Sequence, residues 1–199
     1  MYKRQVKEDS ITLPNSITKN GYKFDMWCTD DSLETEFEYI QGTTTGNITL
    51  YAKWTAVEYS ITYVLDGGTN AAGNPAAYTI ETETITLKNP TKTGYTFAGW
   101  SGTGFSGTSS NVEITKGSTE DRTYTAHWTV NTYTVVFDGN NATSGSMSDQ
   151  PFVYDADEQA LTKNTFTKTG YSFAGWSENK SASEVTYTDG QSVNNLTAS

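Results

Sequence analysis

The sequence contains few of the residues with which small domains usually make up for a limited core. Its 199 residues include one cysteine, Cys28, so no disulfide can form within the chain. It also has one histidine, His127, and only four prolines. No run of about 20 apolar residues occurs, so no membrane span is predicted. Without a disulfide or an evident metal site, aromatic residues must supply the core of any small domain.

Positive charge is also scarce. Lysine and arginine number 13 against 23 aspartates and glutamates, which gives a net charge of −10. Phosphate backbones and anionic lipids repel such a protein, so we predict no nucleic-acid partner and no binding to an anionic membrane surface. Aromatic residues make up 13% of the chain, and threonine, glycine and asparagine are abundant. This composition favours strands and turns over helices.

The start of the chain has no apolar stretch that would indicate a signal peptide. Residues 1–5 read like the translated end of a sequencing adaptor, and we expect them to be non-native. We therefore exclude them from the prediction of the fold.

One motif, Gly-Tyr-x-Phe-x-x-Trp, occurs three times. Its three tryptophans are 73 and 76 residues apart. A spacing this regular predicts a tandem array of small domains. The motif residues, with the tryptophan that ends each later strand, form a repeat signature: Gly21, Tyr22, Phe24, Trp27 and Trp54; Gly94, Tyr95, Phe97, Trp100 and Trp128; and Gly170, Tyr171, Phe173 and Trp176.

Four strands are predicted in a complete repeat, and the middle copy shows them best. Its opening strand alternates Tyr59, Ile61 and Tyr63 with polar residues, which is typical of a half-buried strand. A second strand is predicted over residues 77–87, and the motif forms the third. We expect a bulge at Gly99, because an extra residue there would bring the motif tryptophan back over the core.

The predicted boundaries follow from these pieces. Residues 6–55 form a partial repeat without its opening strand, residues 56–129 a complete repeat, and residues 130–199 a partial repeat without its closing strand. The period is about 74 residues. The linkers are four residues long and contain neither glycine nor proline, which predicts restricted motion between units.

At these residues the chain resembles the Listeria–Bacteroides repeat, also called the internalin B-repeat. The matching text is Tyr-x-Ile-x-Tyr, Asp-Gly-Gly, Gly-Tyr-Thr-Phe-Ala-Gly-Trp and Leu-Tyr-Ala-Lys-Trp, and the resemblance extends from about Ile11 onward. It implies small β-grasp (ubiquitin-like) units, hence a mainly β or α+β fold with few or no helices. It also implies secreted or wall-anchored bacterial surface proteins, without catalytic residues or cofactors to carry over.

The residues that could carry chemistry have simpler structural explanations. His127 aligns with Lys53 on the outward face of the closing strand, and no clustered partner for a catalytic or zinc site is evident. Cys28 occupies the place of Ser101 and Ser177, so we expect it to be exposed or half-exposed and inert.

Acidic residues could form a glycosidase pair or a calcium site. However, the recurring acids, Asp66 and Asp138, precede glycine in predicted turns, which explains them. The acids at 155, 157 and 158 are taken as confined to the third copy. They also lack the glycine and distal glutamate of a calcium loop.

Aromatic side chains could form a platform for sugars. The motif tyrosines and phenylalanines recur in strand register, however, so we expect all six in the core. Tyr51 faces outward and is the better candidate for surface contact.

Two functions remain open. The first is a non-enzymatic stalk or spacer of a bacterial secreted or cell-wall-anchored surface protein, located outside the cell, whose partners are neighbouring repeats. The alternative is an adhesin module that binds a host protein or glycan through variable loops at residues 29–47, 101–122 and 178–188. These loops are mostly glycine, serine, threonine and acids, with Phe105 and Tyr187 the main exceptions, so the spacer leads.

Overall fold

The computed structural model describes residues 10–42 and 44–196, and over these residues it contains strands, turns and loops but no helix. The mainly β class predicted from the sequence is therefore confirmed. The β-grasp arrangement remains a prediction. The expected non-native start, residues 1–5, lies outside the described residues.

Many of the strands in the described part of the chain are short. In chain order they are β1 (Ile11–Thr12), β2 (Tyr22–Cys28), β3 (Tyr39–Ile40), β4 (Tyr51–Ala56), β5 (Tyr59–Val64), β6 (Ala77–Tyr78), β7 (Ile85–Thr86), β8 (Tyr95–Gly102), β9 (Glu113–Ile114), β10 (Arg122–Val130), β11 (Thr132–Val135), β12 (Gln150–Val153), β13 (Gln159–Ala160) and β14 (Ser192–Val193).

The largest sheet belongs to the middle repeat and has the order β6-β5-β10-β8. Strands β5 and β10 are parallel, with Tyr63 opposite Tyr124, while β10 and β8 are antiparallel. The opening and closing strands of the repeat therefore lie side by side at the centre of its sheet. The core on this sheet includes Ile61, Leu87, Trp100, Ile114, Tyr124 and Ala126.

A bulge interrupts the pairing of β8 with β10, as the sequence predicted. His127 lies opposite Gly99 and Trp128 opposite Phe97, so Ala98 has no partner across the ladder. The extra residue changes the face on which the following side chains lie. Trp100 consequently packs in the core with no solvent exposure, where its ring lies 5.3 Å from that of Phe97.

The first repeat makes the same bulge between β2 and β4. Phe24 lies opposite Trp54 and Met26 opposite Lys53, so Asp25 is passed over. The ring of Phe24 is 5.4 Å from Trp27 and 5.5 Å from Trp54. Because Met26 stands where the later copies have glycine, the bulge does not require glycine.

The third repeat differs from the other two. No strand forms over residues 171–175, and Tyr171 and Phe173 are 74% and 43% exposed. The prediction that all six motif tyrosines and phenylalanines are core residues is therefore wrong for these two. The physical reason is that none of the described residues supplies a strand to pair with this segment. Trp176 still packs against Phe137, with ring centroids 4.8 Å apart. The core prediction is also wrong for Tyr22 and Tyr95, whose hydroxyls bond to the following repeat.

Replacement of Trp100 by alanine should destabilise the middle repeat by about 3–5 kcal/mol, because it removes a fully buried ring from a packed cluster. Urea unfolding followed by circular dichroism measures the change. Val136→Ala is the control, since Val136 is 69% exposed, and it should change stability by less than about 0.5 kcal/mol. Equal effects of the two substitutions would contradict the assignment of this core.

Candidate functional site

His127 has a neighbour that the sequence analysis missed. Its Nε2 atom lies 2.6 Å from the hydroxyl oxygen of Ser101 on the adjacent strand. A hydrolytic site would also need an acid on the other ring nitrogen and donors for an oxyanion. Over residues 10–42 and 44–196, no hydrogen bond joins a carboxylate to this ring, and no cluster of three metal-ligating side chains occurs. The pair is a cross-strand contact, which strand register could have revealed.

Cys28 is fully buried, so the expectation of an exposed or half-exposed thiol is wrong. The chain after β2 folds back, and the backbone of Glu36 forms an isolated antiparallel β-bridge with that of Cys28 at the end of this strand. Asp30 holds this loop together by accepting hydrogen bonds from the Ser32 hydroxyl and from two backbone N–H groups. These bonds, led by the one from Ser32, hold the pKa of Asp30 well below its usual range.

The recurring turn acids are explained by backbone geometry. Asp66 has a φ of 47°, and Asp138 accepts a hydrogen bond of 2.8 Å from the backbone N–H of Asn140. Asp155 behaves differently, because its carboxylate accepts a hydrogen bond of 3.0 Å from the hydroxyl of Tyr95 in the preceding repeat. This hydrogen bond joins two repeats.

Each repeat contains a turn of the same construction at the start of its motif. In each, the tyrosine N–H donates to the lysine carbonyl three residues earlier, at 3.0, 3.1 and 3.0 Å. The lysine ammonium lies over the tyrosine ring, 3.7, 4.2 and 4.9 Å from its centroid. We call these segments the Lys–Gly–Tyr turns; they comprise residues 19–22, 92–95 and 168–171.

The first turn contacts the middle repeat at three points. The Tyr22 hydroxyl donates a 2.8 Å hydrogen bond to the Glu81 carboxylate. The Val57 N–H, in the linker, donates to the Gly21 carbonyl at 2.9 Å. Gly21 lies so close to Ile80 that a Cβ atom there would overlap with its side chain. Polar and apolar contacts together therefore fix this junction.

The second turn contacts the third repeat in the same way. The Tyr95 hydroxyl donates to Asp155, and the Asn131 N–H donates to the Gly94 carbonyl at 2.9 Å. Gly94 is covered by the ring of Tyr154, which a Cβ atom would overlap. That ring also meets Tyr95 edge-on, with centroids 5.9 Å apart.

The partners at the two junctions occupy equivalent positions. Glu81 and Asp155 are 74 residues apart, as are the residue pairs at 80 and 154 and at 57 and 131. The interpretation of Asp155 as specific to the third copy is therefore wrong, because Glu81 is its counterpart. Treating aspartate and glutamate as equivalent when the copies were aligned at the 74-residue period would have revealed this correspondence.

The third turn has no such cover among the described residues. Gly170 has a φ of 81°, close to the 75° of Gly94, but no neighbouring side chain lies within 4 Å of a Cβ built on it. Tyr171 is 74% exposed, whereas Tyr22 and Tyr95 are half-buried. The same turn therefore exists in two states within one chain, covered and uncovered.

Comparison with known proteins gives a consistent family assignment. The sequence model of the Listeria-Bacteroides repeat domain matches three successive segments, residues 3–53, 59–127 and 133–198. No solved structure matches the chain.

Two relatives come from Evansella cellulosilytica and are named, provisionally, as a membrane protein and a Gly-rich membrane protein. The chain is 31% identical to the first over 176 residues and 30% identical to the second over 177, which is 87% and 88% of its length. It spans only 26% and 20% of the length of these relatives. Within residues 10–42 and 44–196, no helix is long and apolar enough to cross a membrane.

Substitution of Gly94 by alanine should loosen the second junction, and Gly170→Ala is a matched control. Both glycines have positive φ, so each substitution costs about 1–2 kcal/mol in backbone strain. Only the Gly94 variant also displaces a packed ring, that of Tyr154. We therefore expect faster hydrogen exchange at the Tyr154 amide in G94A but not in G170A. Equal exchange at that amide in the two variants would contradict the junction.

The second junction should weaken at alkaline pH. The hydrogen bond to Asp155 raises the pKa of Tyr95 above its usual value. A group whose pKa is raised on folding stabilises the fold fully below its ordinary pKa, near 10 for tyrosine, and loses that effect as the pH rises through the raised value. D155N should lower the titration midpoint of Tyr95, measured by NMR of its ring Cζ. D157N is the control. An equally lowered midpoint in both variants would show that the pKa of Tyr95 is not raised specifically by its hydrogen bond to Asp155.

Proposed function

This chain belongs to the Listeria-Bacteroides repeat domain family, and we propose that it acts as a non-enzymatic spacer, or stalk, in a bacterial surface protein. The observation that carries the proposal is the junction that occurs twice. Two successive pairs of repeats use the same tyrosine, glycine, linker N–H and carboxylate positions. A repeated contact between neighbours sets a repeated geometry, which is what a spacer needs.

The linkers support restricted motion between units. Strand β4 ends at Ala56 and β5 begins at Tyr59, and only Asn131 separates β10 from β11. The linker N–H of Val57 or Asn131 is itself bonded to the preceding turn. We propose unit boundaries at residues 6–55, 56–129 and 130–199, because these bonds then lie at the start of each later unit.

The proposed location is outside the cell, at the bacterial surface. The Evansella relatives bear membrane-protein names, which associates such repeats with the cell envelope. Because the chain spans only 26% and 20% of the length of these relatives, the activity of the whole protein is also part of the proposal.

The adhesin alternative receives less support from the loops. Four aromatic residues lie in these loops, two of them in the first loop. Phe105 stacks on Tyr124 with ring centroids 6.3 Å apart. Tyr187 packs against the core of the third repeat and donates a 2.6 Å hydrogen bond to Glu178. Neither ring is free to serve as a contact platform. Tyr39, in the first loop, is 47% exposed and Tyr51 is 40% exposed, so these two rings remain available for contact.

Small-angle X-ray scattering of three proteins tests the spacer role. In the Y22F/Y95F double variant, both junctions lose the hydroxyl that bonds the next repeat. We expect this variant to sample a wider range of maximum dimensions than the unsubstituted chain. Y171F is the matched control, since the Tyr171 ring is largely exposed, and it should scatter like the unsubstituted chain. If the double variant also scattered identically, the junctions could not be what sets the spacing.

A further inference from the structure

The uncovered turn of the third repeat has the features of an interaction surface. We propose that residues 168–171 form a docking surface for the turn that follows the second strand of another repeat unit, the turn at residues 80–81 and 154–155 in the existing units. Recognition would depend on a carboxylate at the position that Glu81 and Asp155 hold in the existing units. This inference rests on the proposed spacer function and extends it by naming the partner of this surface.

The docking surface is already formed without a partner. The Tyr171 N–H donates to the Lys168 carbonyl at 3.0 Å, as in the covered turns. The Lys168 ammonium donates to the Asn140 carbonyl at 3.2 Å, and its counterpart Lys92 donates to the Asp66 carbonyl at 2.8 Å. The turn therefore does not need to be ordered by the partner, which lowers the entropic cost of docking.

The chemistry of the surface selects an acidic and partly apolar partner. The Tyr171 hydroxyl is a hydrogen-bond donor beside the Lys168 ammonium, a combination that favours an anion. Beside them, the bare Gly170 leaves room for a side chain that would cover the backbone. The turns after the second strands of the second and third repeats supply both requirements, through Glu81 with Ile80 and through Asp155 with Tyr154.

Two observations point to a repeat unit rather than an unrelated acidic protein as the occupant. The other two turns of the same construction are each covered by the next repeat, so the surface continues an interface that the chain already makes twice. The Evansella relatives are also several times longer than this chain, which spans 26% and 20% of their length. Proteins of that length have room for further units.

An extended protein tests the proposal. It consists of residues 1–196 followed by a copy of residues 118–196, which supplies a closing strand, a linker and a further unit. Hydrogen exchange of the peptide covering residues 168–173 is the readout, because exchange reports local opening. In the extended protein, Y171F should accelerate this exchange about 2–10-fold, the range for loss of one hydrogen bond. In the original chain, where Tyr171 is largely exposed, the same substitution should have no effect.

Pairing through the added closing strand also slows exchange, so the carboxylate is tested separately. D155N in the copied unit should also accelerate exchange of the 168–173 peptide, because an amide oxygen accepts a weaker hydrogen bond than a carboxylate does. The double variant should be no faster than Y171F alone, since Y171F already removes the donor of this bond. D157N in the copied unit is the matched control and should have no effect. Equal rates for D155N and D157N, or additive effects of Y171F and D155N, would overturn the proposal.

A second extension keeps the test decisive if the copied unit does not fold. Here a copy of residues 118–130 is followed by a copy of residues 57–130, so the complete four-stranded unit is appended and Glu81 supplies the carboxylate. E81Q in that copy should accelerate exchange as D155N does in the first design. If neither carboxylate variant has an effect, the docking surface is rejected. The spacer function is judged independently, by the scattering of the Y22F/Y95F variant of the original chain.

Discussion

The bulge in the motif strand is the constraint on which the structure of the first two repeats depends. In a regular strand, the motif phenylalanine and tryptophan would lie on opposite faces, because they are three residues apart. One extra residue opposite the closing strand brings both onto the core face. The phenylalanine then lies between two tryptophans, at 5.3 and 5.6 Å in the middle repeat. In a chain without disulfides, this aromatic cluster supplies much of the packed core.

The same strand that carries the core also begins the junction. In the middle repeat, Tyr95 starts β8 and reaches the next unit, while Trp100 lies further along β8 in the core. A change in the register of this strand would therefore disturb both the unit and its contact with the neighbour. This coupling explains why one short motif contains residues with two different tasks. The tyrosine contacts the next repeat, and the phenylalanine and tryptophan hold the unit together.

Several polar residues of the described chain stabilise structure within one repeat. Asp30 stabilises a loop, Asp138 stabilises a turn, and Ser101 pairs with His127 across two strands. In contrast, Glu81 and Asp155 bond to a tyrosine of the preceding repeat. These two carboxylates make the same contact at two successive junctions, which is the observation behind the proposed spacer role.

The sequence by itself determined the period, the mainly β class and the bulge at the motif. These features depend on local alternation and on direct comparison of copies, so the residues that specify them are near one another or identical in each repeat. Only the tertiary structure decided that Cys28 is buried, that Glu81 and Asp155 are equivalent partners of a tyrosine, and that Tyr171 is exposed. The physical reason is that each of these outcomes depends on which distant or returning segment covers a side chain. Residue type and strand alternation do not specify that cover.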